Sequence, residues 1–253
     1  MGDPPVALAP VSYPWDHFVV AIDGPSGSGK SSTSRGVADR LGLRYLDTGA
    51  MYRAMTWWML RQGVDVHDPP AVAARVGEPE ILSGTDPLGP TILVDGVDVG
   101  LAIRSDEVNA AVSPVAAVPE VRRRLLEVQR DIIGEGGIVV EGRDIGSVVA
   151  PDAEVKVFLT ADPVARARRR ALETGGADDG AIQATRESLL ARDQIDSGRA
   201  TSPLVMAEGA VHVDGTAYTL DEVIGLVVAL VEKAAAGSTP GQRSGEAFGE
   251  RVQ

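Results

Sequence analysis

Short apolar runs rich in β-branched residues recur along the chain and predict buried strands. They lie at residues 18–22, 138–141 and 155–159, with weaker candidates at 45–46 and 210–213. Segments with a helical pattern separate or follow these runs, at 30–41, 48–61, 118–133, 163–173, 181–195 and 220–233. Strands that alternate with helices are typical of a parallel sheet covered by helices on both faces. The pattern therefore predicts an α/β fold with a parallel sheet of about five strands.

One stretch departs from this alternation. Residues 91–94 and 97–99 are joined by the dipeptide Asp95-Gly96, which suits the positive φ angles of a type I′ hairpin turn. Residues 81–82 offer a third short strand. We therefore predict a small antiparallel insertion at 75–110, outside a core formed by 18–74 and 111–233.

The two ends of the chain differ in composition from this core. Residues 1–17 contain four prolines and predict a flexible leader without the pattern of a secretory signal. Residues 234–253 are rich in Gly, Ser and charged residues, which predicts a disordered tail.

The overall charge is acidic, with 24 Lys and Arg against 36 Asp and Glu and a formal net charge of -12. This balance argues against nucleic acid or an anionic membrane surface as the main partner. The chain has no cysteine, which excludes disulfides and thiolate metal sites. No apolar run approaches the ~20 residues that a membrane helix needs.

The segment between the first strand and the first helix has the spacing of a phosphate-binding loop. Residues 24–31 fit G-x-x-x-x-G-K-[ST] at every fixed position. Glycines let backbone N–H groups turn inward around a phosphate, and the helix N-terminus adds a favourable dipole. Lys30, expected in a solvent-filled loop, can reach the β- and γ-phosphates, and the Ser31 hydroxyl can bind Mg²⁺. The residues assigned to the ATP phosphates are Gly24, Ser26, Gly27, Ser28, Gly29, Lys30, Ser31 and Ser32.

A phosphate-binding loop predicts that a nucleotide binds but does not specify the reaction. The arginines restrict the set of possible reactions. Arg53 and Arg143 follow strand candidates closely, and ligands of open α/β sheets bind beyond the carboxyl ends of the strands. A guanidinium is well suited to hold a second phosphate. Most arginines taken alone are more simply surface residues or members of ion pairs, and the run at 166–170 could pair with Asp162 and Glu173. Arg143 differs, because an arginine just after a buried strand seldom serves only as a surface residue. A kinase of another small molecule (uridylate, thymidylate, a sugar or shikimate) and a nucleotide-gated binding module both remain open.

Five motifs resemble those of the bacterial cytidylate kinases over nearly all of residues 18–233. They lie at 22–30, 46–53, 108–113, 141–146 and 192–199. The resemblance implies a P-loop kinase that moves the γ-phosphate of ATP to CMP or dCMP with Mg²⁺, and a helical lid at about 163–200. Separately, we expect a cytoplasmic, monomeric enzyme. The chain departs from the family pattern at two positions: Glu141 stands where family members often have Asp, and Thr48 where some have Ser. Both replacements retain the chemical group, so they affect only the fine geometry of the site.

The resemblance also implies roles for individual residues. Arg53, Arg143 and Arg199 would hold the CMP phosphate. Ser113, Arg122 and Asp144 would recognise cytosine. Asp196 and Arg192 would lie near the ribose and the phosphates. Lys30, Arg143 and Arg192 would spread the charge that develops during transfer. The residues assigned to CMP are Thr48, Arg53, Ser113, Arg122, Arg143, Asp144, Asp196 and Arg199.

Overall fold

The computed structural model describes residues 13–173, 178–199 and 203–237. The predicted leader up to residue 12, part of the predicted lid and the tail from residue 238 lie outside the described residues. The strands are β1 (Val19–Asp23), β2 (Arg44–Asp47), β3 (Ile81–Ser83), β4 (Ile92–Val94), β5 (Val97–Asp98), β6 (Ile138–Gly142), β7 (Val155–Thr160) and β8 (Val211–Asp214). The α-helices are α1 (Lys30–Leu41), α2 (Thr48–Arg61), α3 (Pro69–Arg75), α4 (Asp106–Ala117), α5 (Pro119–Ile133), α6 (Pro163–Glu173), α7 (Asp179–Ser197) and α8 (Leu220–Gly237).

The main sheet is parallel and has five strands in the order β2-β6-β1-β7-β8. The central strand, β1, is buried from Val20 to Asp23. A parallel strand in this position has helices on both faces, which explains why its sequence is almost continuously apolar. The predicted α/β fold class is confirmed.

The two faces of this sheet carry separate hydrophobic cores because side chains alternate along each strand. Val20 and Ile22 of β1 pack into the core that α1 and α8 cover. Ala21 points to the other face, whose core includes residues of α2, α4 and α5. Trp15, from the end of the predicted leader, packs against the first core and donates its indole N–H to the Leu41 carbonyl at 3.1 Å.

The predicted hairpin forms a second, antiparallel sheet in the order β3-β4-β5. Asp95 and Gly96 have φ angles of 51° and 78°, as a type I′ turn requires. The Asp95 carboxylate accepts hydrogen bonds from the Glu80 N–H at 2.9 Å and from the Trp58 indole N–H at 3.0 Å. The bond from Trp58 attaches the small sheet to α2 of the core.

Four elements have no counterpart in the sequence analysis, and one of them is the 3₁₀-helix Ala102–Arg104. Helix α3 begins with prolines in its first turn and is capped by the Asp68 side chain. Helix α4 continues through Pro114, where sequence reasoning expects a break because proline lacks the N–H of a helical hydrogen bond. A short π-helix, Ile145–Val149, follows β6 directly. Among the described helices none is long and apolar enough to span a membrane.

Gly24, which joins β1 to the phosphate-binding loop, has a conformation that requires glycine. Its φ angle is 151°, and a Cβ atom there would lie 2.0 Å from the Leu159 carbonyl oxygen on β7. A backbone oxygen within a sheet cannot move aside as a flexible side chain can.

We predict that Gly24→Ala lowers the free energy of unfolding by about 2–4 kcal/mol through steric overlap and backbone strain. Gly225 supplies the control because it lies within α8, where an added Cβ atom would meet no neighbouring element within 4 Å. Gly225→Ala is expected to raise stability by about 0.5–1 kcal/mol. Urea unfolding of the two variants measures both effects, and equal stabilities would contradict the strain at Gly24.

Candidate active site

Two adjoining cavities lie beyond the carboxyl ends of the parallel strands. The larger has a volume of about 510 Å³ and is lined by the loop from Ser26 to Ser32. The smaller has a volume of about 100 Å³ and is lined by all eight residues that the sequence analysis assigns to CMP. Four residues line both cavities: Gly49, Arg53, Gly142 and Arg143. The structure therefore brings the predicted donor and acceptor residues together, with two arginines at the junction.

Two residues of the predicted phosphate loop differ from expectation. Gly24 is not among the residues that line either cavity, because it packs behind the loop against Leu159. Lys30 does not stand in a solvent-filled loop: it is 6% exposed, and its ammonium group donates to the Pro25 carbonyl at 2.7 Å. Burial, followed by the charge of Arg143, lowers the pKa of Lys30. Its side chain is held at the inner wall of the cavity rather than free in water.

Glu141, at the end of β6, is a site residue that the sequence analysis did not assign. The Ser31 hydroxyl donates to its Oε2 atom at 3.0 Å, and the Tyr45 hydroxyl donates to its Oε1 atom. Burial, together with the nearby Asp47 carboxylate, raises the pKa of Glu141. Its place at a strand end, just before Gly142 and Arg143, was the available sequence signal.

Ser31 and Glu141 offer the hydroxyl and carboxylate oxygens that Mg²⁺ prefers. Their oxygens are 3.0 Å apart on the wall of the larger cavity. Mg²⁺ usually keeps several waters and takes only one or two protein ligands beside the phosphates. Among the described residues, no group of three or more His, Asp or Glu side chains could hold a metal ion.

Arginines concentrate at the junction of the cavities. The Arg53 guanidinium donates to the Asn109 side-chain oxygen, and that of Arg192 donates to the Asn109 backbone carbonyl. Burial, and then the charge of Arg192, lowers the pKa of Arg53 to about 10. Burial, and then the charge of Arg170, lowers the pKa of Arg192. Cations held this close to each other in a partly buried place favour an anionic ligand.

Ser113, Arg122 and Asp144 line the smaller cavity but not the larger one, and we call the part that they form the inner end of the smaller cavity. It presents a hydroxyl, a guanidinium donor and a carboxylate. Arg122 and Asp144 form a buried ion pair with an Nη2–Oδ2 distance of 2.5 Å. The Arg122 guanidinium also donates to the Ala116 carbonyl at 3.3 Å and lies 5.4 Å from the centre of the Tyr52 ring. Ser113 is buried on α4 beside this pair. The Pro114 that follows it lies inside the helix and does not end it.

Two aspartates of α7 bind residues that line the two cavities. Asp196 accepts hydrogen bonds from Arg143, at 2.9 Å, and from Arg199. Asp193, which the sequence analysis missed, accepts from the Ser26 N–H of the phosphate loop at 3.1 Å. Arg166 pairs with Asp193 at 2.5 Å and is buried. Arg166 therefore belongs to the contact between the loop and α7, and the Asp162 side chain instead accepts from the Val164 N–H.

Asp23 is a buried carboxylate at the end of β1, and the sequence analysis assigned no role to it. Its two oxygens accept hydrogen bonds from the Ile145 and Gly146 N–H groups, each at 2.8 Å. Burial raises the pKa of Asp23 from 3.8 to about 6, although these two bonds oppose the increase. The folded protein therefore holds a proton on Asp23 at a pH where the unfolded chain has lost it.

A phosphate-binding loop beside an arginine-lined acceptor cavity, on a five-stranded parallel sheet, defines a P-loop kinase of small molecules. The model of the family described as "Cytidylate kinase" matches residues 20–233. The chain belongs to the cytidylate kinase family.

Curated relatives bear the same name. The cytidylate kinase of Streptomyces avermitilis is 60% identical over 85% of this chain and 93% of its own length. That of Streptomyces coelicolor is 62% identical over 87% and 94%, and that of Mycobacterium leprae is 49% identical over 85% and 96%. Among solved structures, a gluconokinase from Sinorhizobium meliloti covers 88% of this chain and 95% of its own, with 17% identity and a TM-score of 0.42. A similarity of that size says nothing about the substrate.

The raised pKa of Asp23 gives a stability prediction with a defined sign. A group whose pKa is higher in the folded state stabilises the protein below its unfolded pKa, and this stabilisation is lost as the pH rises through the folded value. We expect the wild type to lose about 2–3 kcal/mol between pH 4 and pH 6.5 relative to Asp23→Asn. Urea unfolding of both proteins across that range measures the difference. Other carboxylates contribute equally to both curves, so parallel curves would contradict the assignment.

Proposed function

We propose that this protein transfers the γ-phosphate of ATP to CMP, and to dCMP, to give ADP and the cytidine diphosphate. The observation that carries this proposal is the pair of adjoining cavities that share Arg53 and Arg143. One cavity is built on a phosphate-binding loop, and the other places a carboxylate, a hydroxyl and a guanidinium around a space of about 100 Å³. A donor and an acceptor nucleotide bound in these cavities would meet phosphate to phosphate at the two arginines.

We place ATP in the larger cavity with its phosphates toward the smaller cavity and its base at the opposite end. Its phosphates would lie on the N–H groups of residues 26–32, at the N-terminus of α1. The cavity extends away from the acceptor side to Tyr218, Leu220 and Val223, whose apolar surfaces suit a flat base. The sequence analysis proposed no residue for that end. Mg²⁺ would be held by Ser31, with Glu141 beside it, and would neutralise charge on the β- and γ-phosphates.

The transfer itself requires alignment and charge neutralisation more than proton chemistry. An oxygen of the CMP phosphate attacks the γ-phosphorus, and the bond to the bridging oxygen of ADP breaks. Arg53, Arg143 and Arg199 would hold the acceptor phosphate. Lys30 and Arg192 would, with Arg143, stabilise the charge that develops on the transferred group. The acceptor is already anionic, so the site needs no strong general base.

Cytosine suits the inner end of the smaller cavity. Its exocyclic amine would donate to Asp144 and Ser113, and its ring N3 and O2 would accept from Arg122. The Arg122–Asp144 ion pair arranges a donor and an acceptor side by side, which matches the adjacent acceptor and donor of the base edge. Asp196 accepts from two arginines and retains lone pairs for a ribose hydroxyl.

The remaining domain assignments follow from the same arrangement. We assign α6 and α7, within the segment 163–200, to a lid that excludes water while both nucleotides are bound. The 75–110 insertion is assigned to the monophosphate side, since Asn109 near its end accepts hydrogen bonds from Arg53 and Arg192, which line the smaller cavity. We propose that the enzyme is a monomer. We place it in the cytoplasm, where its substrates are.

The first prediction of this proposal is that ADP release from ATP starts only when CMP is added. Lys30→Met retains the volume of the buried side chain and removes its charge, so we expect at least a ~10³-fold loss of kcat. Lys233→Ala, at an exposed position of α8, is the matched control and should keep wild-type turnover. A coupled assay of ADP release over a panel of monophosphates is the measurement. ADP release that does not depend on CMP, or wild-type turnover in Lys30→Met, would contradict the proposal.

The second prediction concerns the base. UMP presents a carbonyl to Asp144 and an N3–H to Arg122, and each mismatch costs about 1–3 kcal/mol. We expect kcat/KM for CMP to exceed that for UMP by about 10²-fold. Asp144→Asn can donate to the uracil carbonyl and should reduce this ratio to below about tenfold.

The measurement is kcat/KM for both nucleotides in the wild type and the variant. Asp131→Ala, at an exposed carboxylate on α5, is the control and should leave the ratio unchanged. A wild type that accepts both nucleotides equally would contradict the assignment of the base-recognition residues, even if kinase activity is present.

A further inference from the structure

Asp23 lines neither of the two cavities. It is 3% exposed and directly precedes Gly24, where the phosphate-binding loop begins. Both of its carboxylate oxygens are used by backbone N–H groups of the segment that follows β6. One side chain thus connects the start of the donor loop to the segment that carries Arg143 and Asp144.

The two N–H groups that Asp23 binds are the first ones of the π-helix Ile145–Val149. The first N–H groups of any helix lack partners within it, and the side chain of the residue just before the helix usually binds one of them. Asp144 occupies that preceding position here and is of a suitable type, yet its side chain makes no such bond. Its carboxylate pairs with Arg122 at the inner end of the smaller cavity.

We propose that Asp23 is a positioning residue for recognition of the acceptor base. It caps the π-helix from the neighbouring strand, and this leaves the Asp144 carboxylate free to face the cavity and Arg122. This inference rests on the proposed function, because it presupposes that Asp144 binds the base.

The sheet register supports this role. Strands β1 and β6 are parallel partners, with Asp23 beside Gly142. From this position, the Asp23 carboxylate reaches the N–H groups of Ile145 and Gly146, three and four residues after Gly142. Two bonds of 2.8 Å to one carboxylate fix the orientation of the turn between Gly142 and Ile145. A buried carboxylate costs free energy, and a polar side chain satisfied by local capping would have avoided that cost.

A residue that only held the fold together would act differently when replaced. Its loss would lower stability and would affect ATP, CMP and UMP alike. Loss of a positioning residue would instead change the ratio of CMP to UMP and would do so only while Asp144 is present. The two roles are therefore separated by selectivity and by its dependence on Asp144.

The experiment compares Asp23→Ala and Asp23→Asn, each alone and combined with Asp144→Ala. For each protein, kcat/KM for CMP and UMP, the KM for ATP and the thermal midpoint are measured. We expect Asp23→Ala to reduce the CMP-to-UMP ratio about tenfold, mainly through a higher KM for CMP, with the KM for ATP within about twofold. Asp23→Asn keeps one acceptor oxygen and should show a smaller reduction. In the Asp144→Ala background, either replacement should change the ratio by less than about twofold.

Val20→Ala is the control for loss of stability, since it removes buried volume from the same strand without touching the π-helix. It should lower the thermal midpoint and leave the ratio unchanged. Should Asp23→Ala not fold, Asp23→Asn and its double variant provide the same comparison. An unchanged ratio in a wild type that does discriminate, or an equal reduction with and without Asp144, would overturn the inference alone. A wild type that does not discriminate CMP from UMP would overturn the assignment of Asp144 and this inference together.

Discussion

The parallel pairing of β1 with β6 places Asp23 beside Gly142, and the arrangement of both cavities depends on this register. The chain leaves β1 as the phosphate-binding loop and leaves β6 as the segment with Arg143. Because both strands run in the same direction, the two loops emerge at the same edge of the sheet. A shift of one residue would turn the alternating side chains to opposite faces. It would also remove Glu141 from Ser31 and Asp23 from its two amide partners.

The candidate site is locally positive, although the chain as a whole is negatively charged. The whole chain carries a formal net charge of -12, yet the junction of the cavities is lined by Arg53, Arg143 and, on the acceptor side, Arg192. Burial and mutual repulsion make these cations costly in the absence of an anion, as the lowered pKa of Arg53 indicates. Two phosphates would remove that repulsion, so part of the binding energy of the substrates comes from charge that the fold already holds in place.

Helix α7 connects residues on the walls of both cavities. Asp193 binds the Ser26 N–H of the donor loop, and Asp196, less than one turn later, binds Arg143 and Arg199 on the acceptor side. The N–H that Asp193 occupies belongs to the loop assigned to the ATP phosphates. One turn of α7 therefore connects the phosphate-binding loop to two arginines of the smaller cavity.

The sequence alone determined the features that depend on neighbours along the chain. Hydrophobic periodicity located the five strands of the main sheet, and the limits of α1 and α2 agree with it, while Asp95-Gly96 determined the hairpin. The eight residues that the family resemblance assigns to CMP line one cavity. Only the tertiary structure decided which distant groups meet: Tyr45 and Ser31 at Glu141, Ile145 and Gly146 at Asp23, and Ser26 at Asp193. It also decided that Lys30 is buried and that α4 continues through Pro114. Local propensity and turn chemistry act over a few residues, whereas the partner of a buried charge is set by strand register and helix packing over about a hundred residues or more, which no local pattern encodes.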